Sequence, residues 1–209
     1  AGNPKIKNNS YEYDDFGNIK RVKHKGDIED SSDNRYEYFK YLNNSNKWIV
    51  DKIKNYSLYA SDDSTKIRES LYIYDELNYG DFPTKGSLTS KEDFLDHGDN
   101  PIINYDYDER GNLVNETDAN GNITQYVYGI RDTTNTFVDR IINAKEQKTN
   151  YNYNLGTGNL LWQTDTNGIA TNYTYDVFGR ITKEILAYDS ENYPTKNYSP
   201  RKKKLSLGN

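Results

Sequence analysis

The side chains that could carry out acid–base or metal chemistry are few and lie far apart in the sequence. The 209-residue chain contains two histidines, His24 and His97, and no cysteine. The lack of cysteine excludes disulfides, thiolate metal sites and a cysteine nucleophile. The two histidines also lack the short spacing of metal-ligating histidines. We therefore predict no catalytic residues, no metal site and no cofactor.

Carboxylates are more numerous, but their neighbours are typical of turns. The acid pairs Asp14-Asp15 and Asp62-Asp63 lie in polar stretches, where aspartate bonds to its own backbone. Nothing nearby predicts the burial that would tune the pKa of these carboxyls for catalysis. We interpret both pairs as turn residues.

One spacing of oxygen ligands resembles that of a calcium loop. Asp118 is followed by Asn120 and Asn122, and Asp165 is followed two residues later by an asparagine. An EF-hand needs a bidentate glutamate at its twelfth position, which is Gly129 when counted from Asp118. These stretches are therefore also predicted to be turns.

The elements that hold these residues follow a repeat. Pairs of tyrosines two residues apart recur at Tyr11 and Tyr13, Tyr105 and Tyr107, Tyr126 and Tyr128, Tyr151 and Tyr153, and Tyr173 and Tyr175. From 105 onward the first tyrosines are 21 to 25 residues apart. Such a period is typical of repetitive architectures. Tyr-x-Tyr places both rings on one face of a strand, and we expect rings of successive units to stack across strands.

Asx-Gly turns separate the strands of this repeat. Aspartate bonds the backbone ahead of it, and glycine accepts the positive φ of a short hairpin. The predicted turn residues are Asp14, Gly17, Asp108, Gly111, Asp118, Gly121, Gly158, Asp165, Gly168, Asp176 and Gly179.

The first half reads as a looser version of the same sheet. Strands are predicted at 19–24, 35–41, 47–58, 66–74 and 88–95, with an inserted loop at 76–87. We divide the chain into a degenerate β region (1–104), a regular repeat region (105–187) and a polar, basic tail (188–209). The predicted fold is all-β, an extended twisted antiparallel sheet with little or no helix.

Composition supports a thin sheet rich in tyrosine. Hydrophobic residues make up 33% of the chain, and 21 tyrosines supply apolar area. The net charge of −5 argues against nucleic-acid binding, and no apolar run is long enough for a membrane span. Seven Asn-x-Ser/Thr sequons are candidate glycosylation sites: Asn8, Asn43, Asn55, Asn115, Asn122, Asn172 and Asn197.

The ordered copies carry a family resemblance. Tyr-x-Tyr-Asp-x-x-Gly-Asn/Arg-Leu/Ile, followed by Thr-Asp-x-Asn-Gly-x-x-Thr, resembles the YD repeat of Rhs proteins, across 105–185 and at 11–19. That family includes polymorphic toxins, the B and C components of insecticidal toxin complexes, and teneurin ectodomains. The resemblance implies a long antiparallel sheet that spirals into a hollow shell, often around a toxic domain.

From this we predict a non-catalytic structural protein, secreted or on the cell surface. It would be a wall segment of a shell, or a subunit that associates with itself or with other YD-repeat segments through its sheet edges. The alternative is an adhesion or glycan-binding module in which Trp48 and Trp162 are stacking platforms. The third hypothesis is a fragment of a toxin-encapsulating Rhs shell.

Overall fold

The computed structural model describes residues 8–26 and 31–198, which form 15 strands in two compact units divided between Asn122 and Ile123. The strands of the first unit are β1 (Asn8–Tyr13), β2 (Ile19–Lys25), β3 (Arg35–Asn44), β4 (Ile49–Tyr59), β5 (Lys66–Tyr74), β6 (Leu88–Asp93), β7 (Ile102–Tyr107) and β8 (Leu113–Thr117).

The second unit follows the same pattern with shorter strands. Its strands are β9 (Ile123–Val127), β10 (Arg140–Ile142), β11 (Lys148–Tyr153), β12 (Leu160–Thr164), β13 (Ala170–Tyr175), β14 (Ile181–Leu186) and β15 (Lys196–Asn197).

Within each unit every strand pairs antiparallel with the strands before and after it in sequence. Each unit is therefore a meander in which hairpins connect neighbours. The only helical segments in the described part of the chain are two 3-10 turns, Ser31–Asp33 and Ser45–Lys47. The prediction of an all-β, antiparallel fold with little helix is confirmed.

Few side chains are fully buried in these sheets. The buried apolar residues of the first unit are Val22, Tyr36, Leu42, Tyr74 and Pro83, and that of the second unit is Ile185. Most other strand residues remain half-exposed. Neither unit therefore has a thick aliphatic core, and backbone pairing with cross-strand side-chain contacts must supply much of the stability.

One predicted strand begins in the wrong place. The sequence predicts strand from residue 47, but Ser45–Lys47 forms a 3-10 turn and β4 begins at Ile49. Trp48 between them is left-handed, with φ of 54°. The hairpin reverses over Asn-rich residues that alternation alone does not distinguish from strand, so Trp48 lies outside the strand face on which it was placed.

Other boundaries differ by a few residues. β6 ends at Asp93 rather than at 95, and β3 extends to Asn44 rather than ending at 41. The proposed division at 104/105 remains a prediction. Of the predicted tail, residues 188–198 are described and include β15, whereas the basic run at 201–204 lies outside the described residues. Within the described ranges, no helix has the length and apolar character needed to cross a bilayer.

Candidate functional site

Five turns share one hydrogen-bonding pattern, in which an aspartate holds the next four residues. In the turn at Asp108, its Oδ1 accepts the N–H of Arg110 at 2.9 Å and of Asn112 at 2.8 Å, and Gly111 donates to the Asp108 carbonyl at 3.0 Å. The same pattern occurs at Asp14, Asp118, Asp165 and Asp176. The glycines of the five turns have φ between +75° and +87°, a region that glycine enters without strain.

These hydrogen bonds affect the pKa values of the turn aspartates, as Asp118 and Asp176 show. The side chain and backbone N–H of Asn122 lower the pKa of Asp118, and the Arg180 side chain and backbone N–H do the same for Asp176. A carboxylate that accepts several local hydrogen bonds stays ionised. In each of the five turns, Oδ1 of the aspartate accepts two backbone N–H groups of its own turn. The aspartates therefore act as structural acceptors in these turns.

The second tyrosine lies at a β-bulge in four of the five predicted tyrosine pairs, whereas Tyr128 lies beyond the end of β9. Between β7 and β8 the register shifts at Asp106/Tyr107, so that Tyr107 faces Leu113. Six tyrosines face a leucine or isoleucine in this way: Tyr13 and Ile19, Tyr41 and Ile53, Tyr74 and Leu88, Tyr107 and Leu113, Tyr153 and Leu160, and Tyr175 and Ile181. A bulge bends its strand and re-aims the side chain.

The re-aimed tyrosines connect one repeat to the previous one. We call the set of hydroxyl-to-carbonyl bonds that they form the tyrosine ladder. Its members are Tyr41 to Ile19 (2.8 Å), Tyr74 to Ile53 (2.8 Å), Tyr107 to Leu88 (2.9 Å) and Tyr175 to Leu160 (2.7 Å). Each acceptor carbonyl belongs to the residue that pairs with the bulge tyrosine of the preceding repeat. Ile53, for example, pairs with Tyr41 and accepts the hydrogen bond from Tyr74. Every bond therefore ties a repeat to its neighbour.

Burial keeps the ladder hydroxyls neutral. Desolvation raises the pKa of Tyr41, Tyr107 and Tyr175, and raises that of Tyr74 to about 12. A phenolate has no proton to donate, so a raised pKa extends the range in which the hydroxyl is a donor to more alkaline pH. The ladder is thus a set of neutral, partly buried hydrogen bonds that survives to alkaline pH.

Two segments of the chain match a known family model in sequence. Residues 107–132 and 153–192 match the RHS repeat. The chain carries RHS repeats. The matched segments include two bulge–turn pairs described above, Tyr107 with Asp108 and Tyr175 with Asp176. Recognition of the Rhs/YD repeat from the sequence is thereby confirmed.

Solved structures of toxin complexes are also similar to this chain. One is the Photorhabdus luminescens Tc holotoxin pore, with 14% identity and a TM-score of 0.47, covering 85% of this chain and 10% of that one. Another is the complex of TcdB2, TccC3 and Cdc42, with 13% identity and a TM-score of 0.37, covering 85% and 11%. The chain therefore spans about a tenth of the length of these structures. No curated protein matches in sequence.

One RHS-type turn was missed in the sequence because it lacks glycine. Asn143 Oδ1 accepts the N–H of Lys145 and of Gln147, each at 3.0 Å, and Glu146 donates its N–H to the Asn143 carbonyl at 2.8 Å. Glu146 occupies the glycine position with φ of 61°. The Asx residue and the spacing were visible signals, but the missing glycine hid them.

The 76–87 insertion is closed by a single carboxylate. Asp75 accepts backbone N–H groups from Thr84 (2.7 Å), Lys85 (2.8 Å), Gly86 (3.1 Å) and Ser87 (2.8 Å). Burial alone would raise the pKa of Asp75, but these four donors lower it. Asp75 therefore anchors a long loop where the regular turns use a short Asx-Gly sequence, and Tyr74 still pairs with Leu88.

The two histidines are not brought together. His24 on β2 lies between Asn9 Oδ1 at 3.2 Å and Glu37 Oε1 at 2.5 Å, which links β1, β2 and β3. His97 is exposed in the loop between β6 and β7. No group of three His, Asp or Glu side chains in the described ranges could hold a metal ion.

A polar cluster surrounds Glu69 in the first unit. Its carboxylate accepts the Asn55 amide at 2.8 Å and the Lys66 ammonium at 2.6 Å. Desolvation would raise the pKa of Glu69, but hydrogen bonds from Lys66 and Asn55 lower it. The pKa of Lys66 is raised in turn, chiefly by its hydrogen bond to Glu69. Hydrogen bonds hold both groups charged within β5, and the Asn55 amide ties Glu69 to β4.

The sequons differ in accessibility. Asn8, Asn122, Asn172 and Asn197 are exposed, Asn43 and Asn115 are half-exposed, and Asn55 is buried at 7% exposure. Because the Asn55 amide donates to Glu69, a glycan there would displace a buried hydrogen bond. Glycosylation at the other six remains a prediction.

The two tryptophans have different surroundings. Trp48 is 83% exposed at the β3–β4 hairpin. Trp162 on β12 is half-buried, and the Arg131 guanidinium lies 4.8 Å from its ring centroid. Arg131 therefore already occupies a face of Trp162 through a cation–π contact. Of the two predicted stacking platforms, Trp48 is the accessible one.

Proposed function

We propose that this chain is a non-catalytic structural segment, part of the wall of a larger RHS-repeat sheet outside the cell. It associates through sheet edges with other RHS-repeat segments or with further copies of itself. RHS repeats in the chain support this role, as do the turn aspartates and Glu69, whose carboxylates accept hydrogen bonds within turns and across strands.

The tyrosine ladder carries the proposal. At four places its bonds run from one repeat to the preceding one, so the interactions follow the chain instead of converging on a reaction centre. Architectures of this kind derive stability from nearest-neighbour interfaces and lengthen by adding units. Such a sheet suits a wall, since each added repeat repeats the same contact.

Electron microscopy of negatively stained protein tests the proposal. We expect closed shells, curved fragments or filaments that grow with protein concentration. A monodisperse monomer by light scattering at high concentration would contradict self-association. A wall role inside a longer polypeptide predicts instead that the flanking repeats, when joined to the chain, complete a continuous shell.

A second candidate function is glycan binding, which the accessible Trp48 favours. A bulky residue with positive φ is a backbone outlier, and such strain concentrates at functional positions. A glycan array on the purified chain tests it. Saturable binding lost in Trp48→Ala but kept in Trp162→Ala supports the module, and equal binding by both variants refutes it.

A third candidate is a fragment of a shell that encapsulates a toxic domain, which the RHS repeats support. Cargo enclosed by particles of the longer protein, and protected there from added protease, would be the expected result. Freely digested cargo would exclude encapsulation while leaving the wall role intact.

A further inference from the structure

We propose that the outer edge of β1 receives an antiparallel strand from another RHS repeat, and that the Tyr13 hydroxyl donates to a backbone carbonyl of that strand. The partner is a β-strand with leucine or isoleucine at the accepting position. This inference rests on the proposed wall function and adds the register and the residue that complete the joint.

Tyr13 has every local feature of a ladder tyrosine. It precedes an aspartate turn, lies at a bulge between Glu12 and Tyr13, and faces Ile19 on the next strand. In the first unit, Tyr41, Tyr74 and Tyr107 have the same bulge, and each donates to the strand before its own. Tyr13 would do the same if a strand preceded β1.

Such a strand is missing from the described fold. β2 is the only described neighbour of β1, and the Tyr13 hydroxyl has no hydrogen-bond partner among the described residues. All six residues of β1 are exposed, with Tyr13 at 54% and Tyr11 at 48%. The ladder tyrosines are half-buried or buried. β1 thus combines a main-chain edge that has no described partner with a re-aimed donor that has no described acceptor.

The ladder fixes the register of the incoming strand. In each ladder pair, the residue three before the tyrosine faces the residue two after the acceptor. Asn104, three before Tyr107, faces Ser90, two after Leu88. The other ladder pairs obey the same rule: Tyr38 faces Arg21, Leu71 faces Asn55, and Asn172 faces Trp162. Residue Ser10 of β1 must therefore face the residue two after the incoming acceptor.

The acceptors also define the chemistry of the partner. They are Ile19, Ile53, Leu88 and Leu160, all branched aliphatic residues. A strand of the form Leu/Ile-x-x, in which the third residue faces Ser10, satisfies both conditions. The β6 strand of this chain, beginning at Leu88, has this form and serves as a probe. This mode of binding is β-strand addition to a sheet edge.

Disulfide trapping tests this register directly, because the chain has no native cysteine. Ser10→Cys is introduced into the full chain, which is incubated in a thiol–disulfide buffer with a peptide of residues 86–94 carrying Ser90→Cys. A matched control peptide carries Lys91→Cys instead, which places the thiol on the opposite face. We expect the mixed disulfide to form several-fold more with the first peptide.

The Tyr13 hydroxyl is tested in the same assay. Tyr13→Phe should lower mixed-disulfide formation about 2- to 10-fold, the equivalent of one lost hydrogen bond, whereas Tyr11→Phe should leave it unchanged. Equal trapping of both peptides, or equal effects of both variants, would overturn the inference. Circular dichroism of each variant checks folding. Electron microscopy of the particles tests the wall function separately. Shells that are joined through other surfaces would still assemble if no mixed disulfide formed.

Discussion

Removal of a single ladder hydroxyl should destabilise the first unit measurably. Tyr74 is 8% exposed and donates to the Ile53 carbonyl at 2.8 Å. Tyr74→Phe keeps the ring but leaves that partly buried carbonyl without its donor. The expected loss is about 1–3 kcal/mol of unfolding free energy, because an unsatisfied buried acceptor carries its desolvation cost.

Tyr72→Phe is the matched control. Tyr72 lies two residues earlier on β5 and is half-exposed, and it donates no hydrogen bond to a described residue. The same chemical change should therefore alter stability by less than about 0.5 kcal/mol. Urea unfolding followed by circular dichroism measures both variants, with unchanged m-values showing that the denatured state is comparable.

The dependence of stability on alkaline pH provides a second test of the Tyr74 hydroxyl. Burial raises the pKa of Tyr74 from 10.0 to about 12. Above pH 10 the unfolded chain loses this proton while the folded chain keeps it, so stability falls with rising pH until about 12. The two-unit difference corresponds to roughly 2.7 kcal/mol. Tyr74→Phe lacks this dependence, so its deficit relative to the parent chain should shrink across that window.

Two results would refute this reasoning. Equal destabilisation by Tyr72→Phe and Tyr74→Phe would show that the loss comes from the phenol ring environment and not from the ladder bond. A deficit that stays constant from neutral pH to pH 12 would show that the Tyr74 proton does not distinguish the folded from the unfolded chain.

Four further outcomes test the turns. Glu146→Gly should stabilise the second unit by about 1 kcal/mol in urea unfolding, because glycine relieves a left-handed backbone. Gly111→Ala should destabilise the first unit by about 1–2 kcal/mol in the same assay, since its φ is 87°. Asp132→Asn should flatten the acid limb of stability: hydrogen bonds, chiefly from Thr134, lower the Asp132 pKa from 3.8 to about 2, so its contribution is lost as pH falls through that window. Trp48→Gly should raise the melting temperature, because it removes an exposed ring from a strained position.

The regular turns were predictable because their causes are local. Asp108 and Gly111 act within five residues, so the sequence alone contains both the acceptor and the residue that reverses the chain. The same logic failed at Glu146, where a left-handed glutamate takes the place of glycine. Local rules identify the favourable residue for a turn, and they miss a turn that tolerates an unfavourable one.

The predicted contact between repeats is only part of what joins the strands. We expected tyrosine rings of successive units to stack across strands. Tyr38 with Tyr59 and Phe39 with Tyr56 are cross-strand ring pairs between β3 and β4, whereas Tyr151 with Tyr153 lies within one strand. Ladder hydroxyls are a second link between successive repeats, which the sequence did not indicate. Alternation predicts which face a ring lies on, but a bulge changes where the ring points.

The sequence by itself determined that this chain is an all-β repeat, where its regular turns fall and that its aspartates serve them, because those properties depend on neighbours a few residues apart. Tertiary structure alone decided which carbonyl each tyrosine reaches, that Tyr41 belongs to the ladder, that Asn55 is buried and that Trp48 is exposed. Each of these depends on the register between strands. A one-residue bulge resets that register, and its partner lies too far along the chain for local patterns to indicate it.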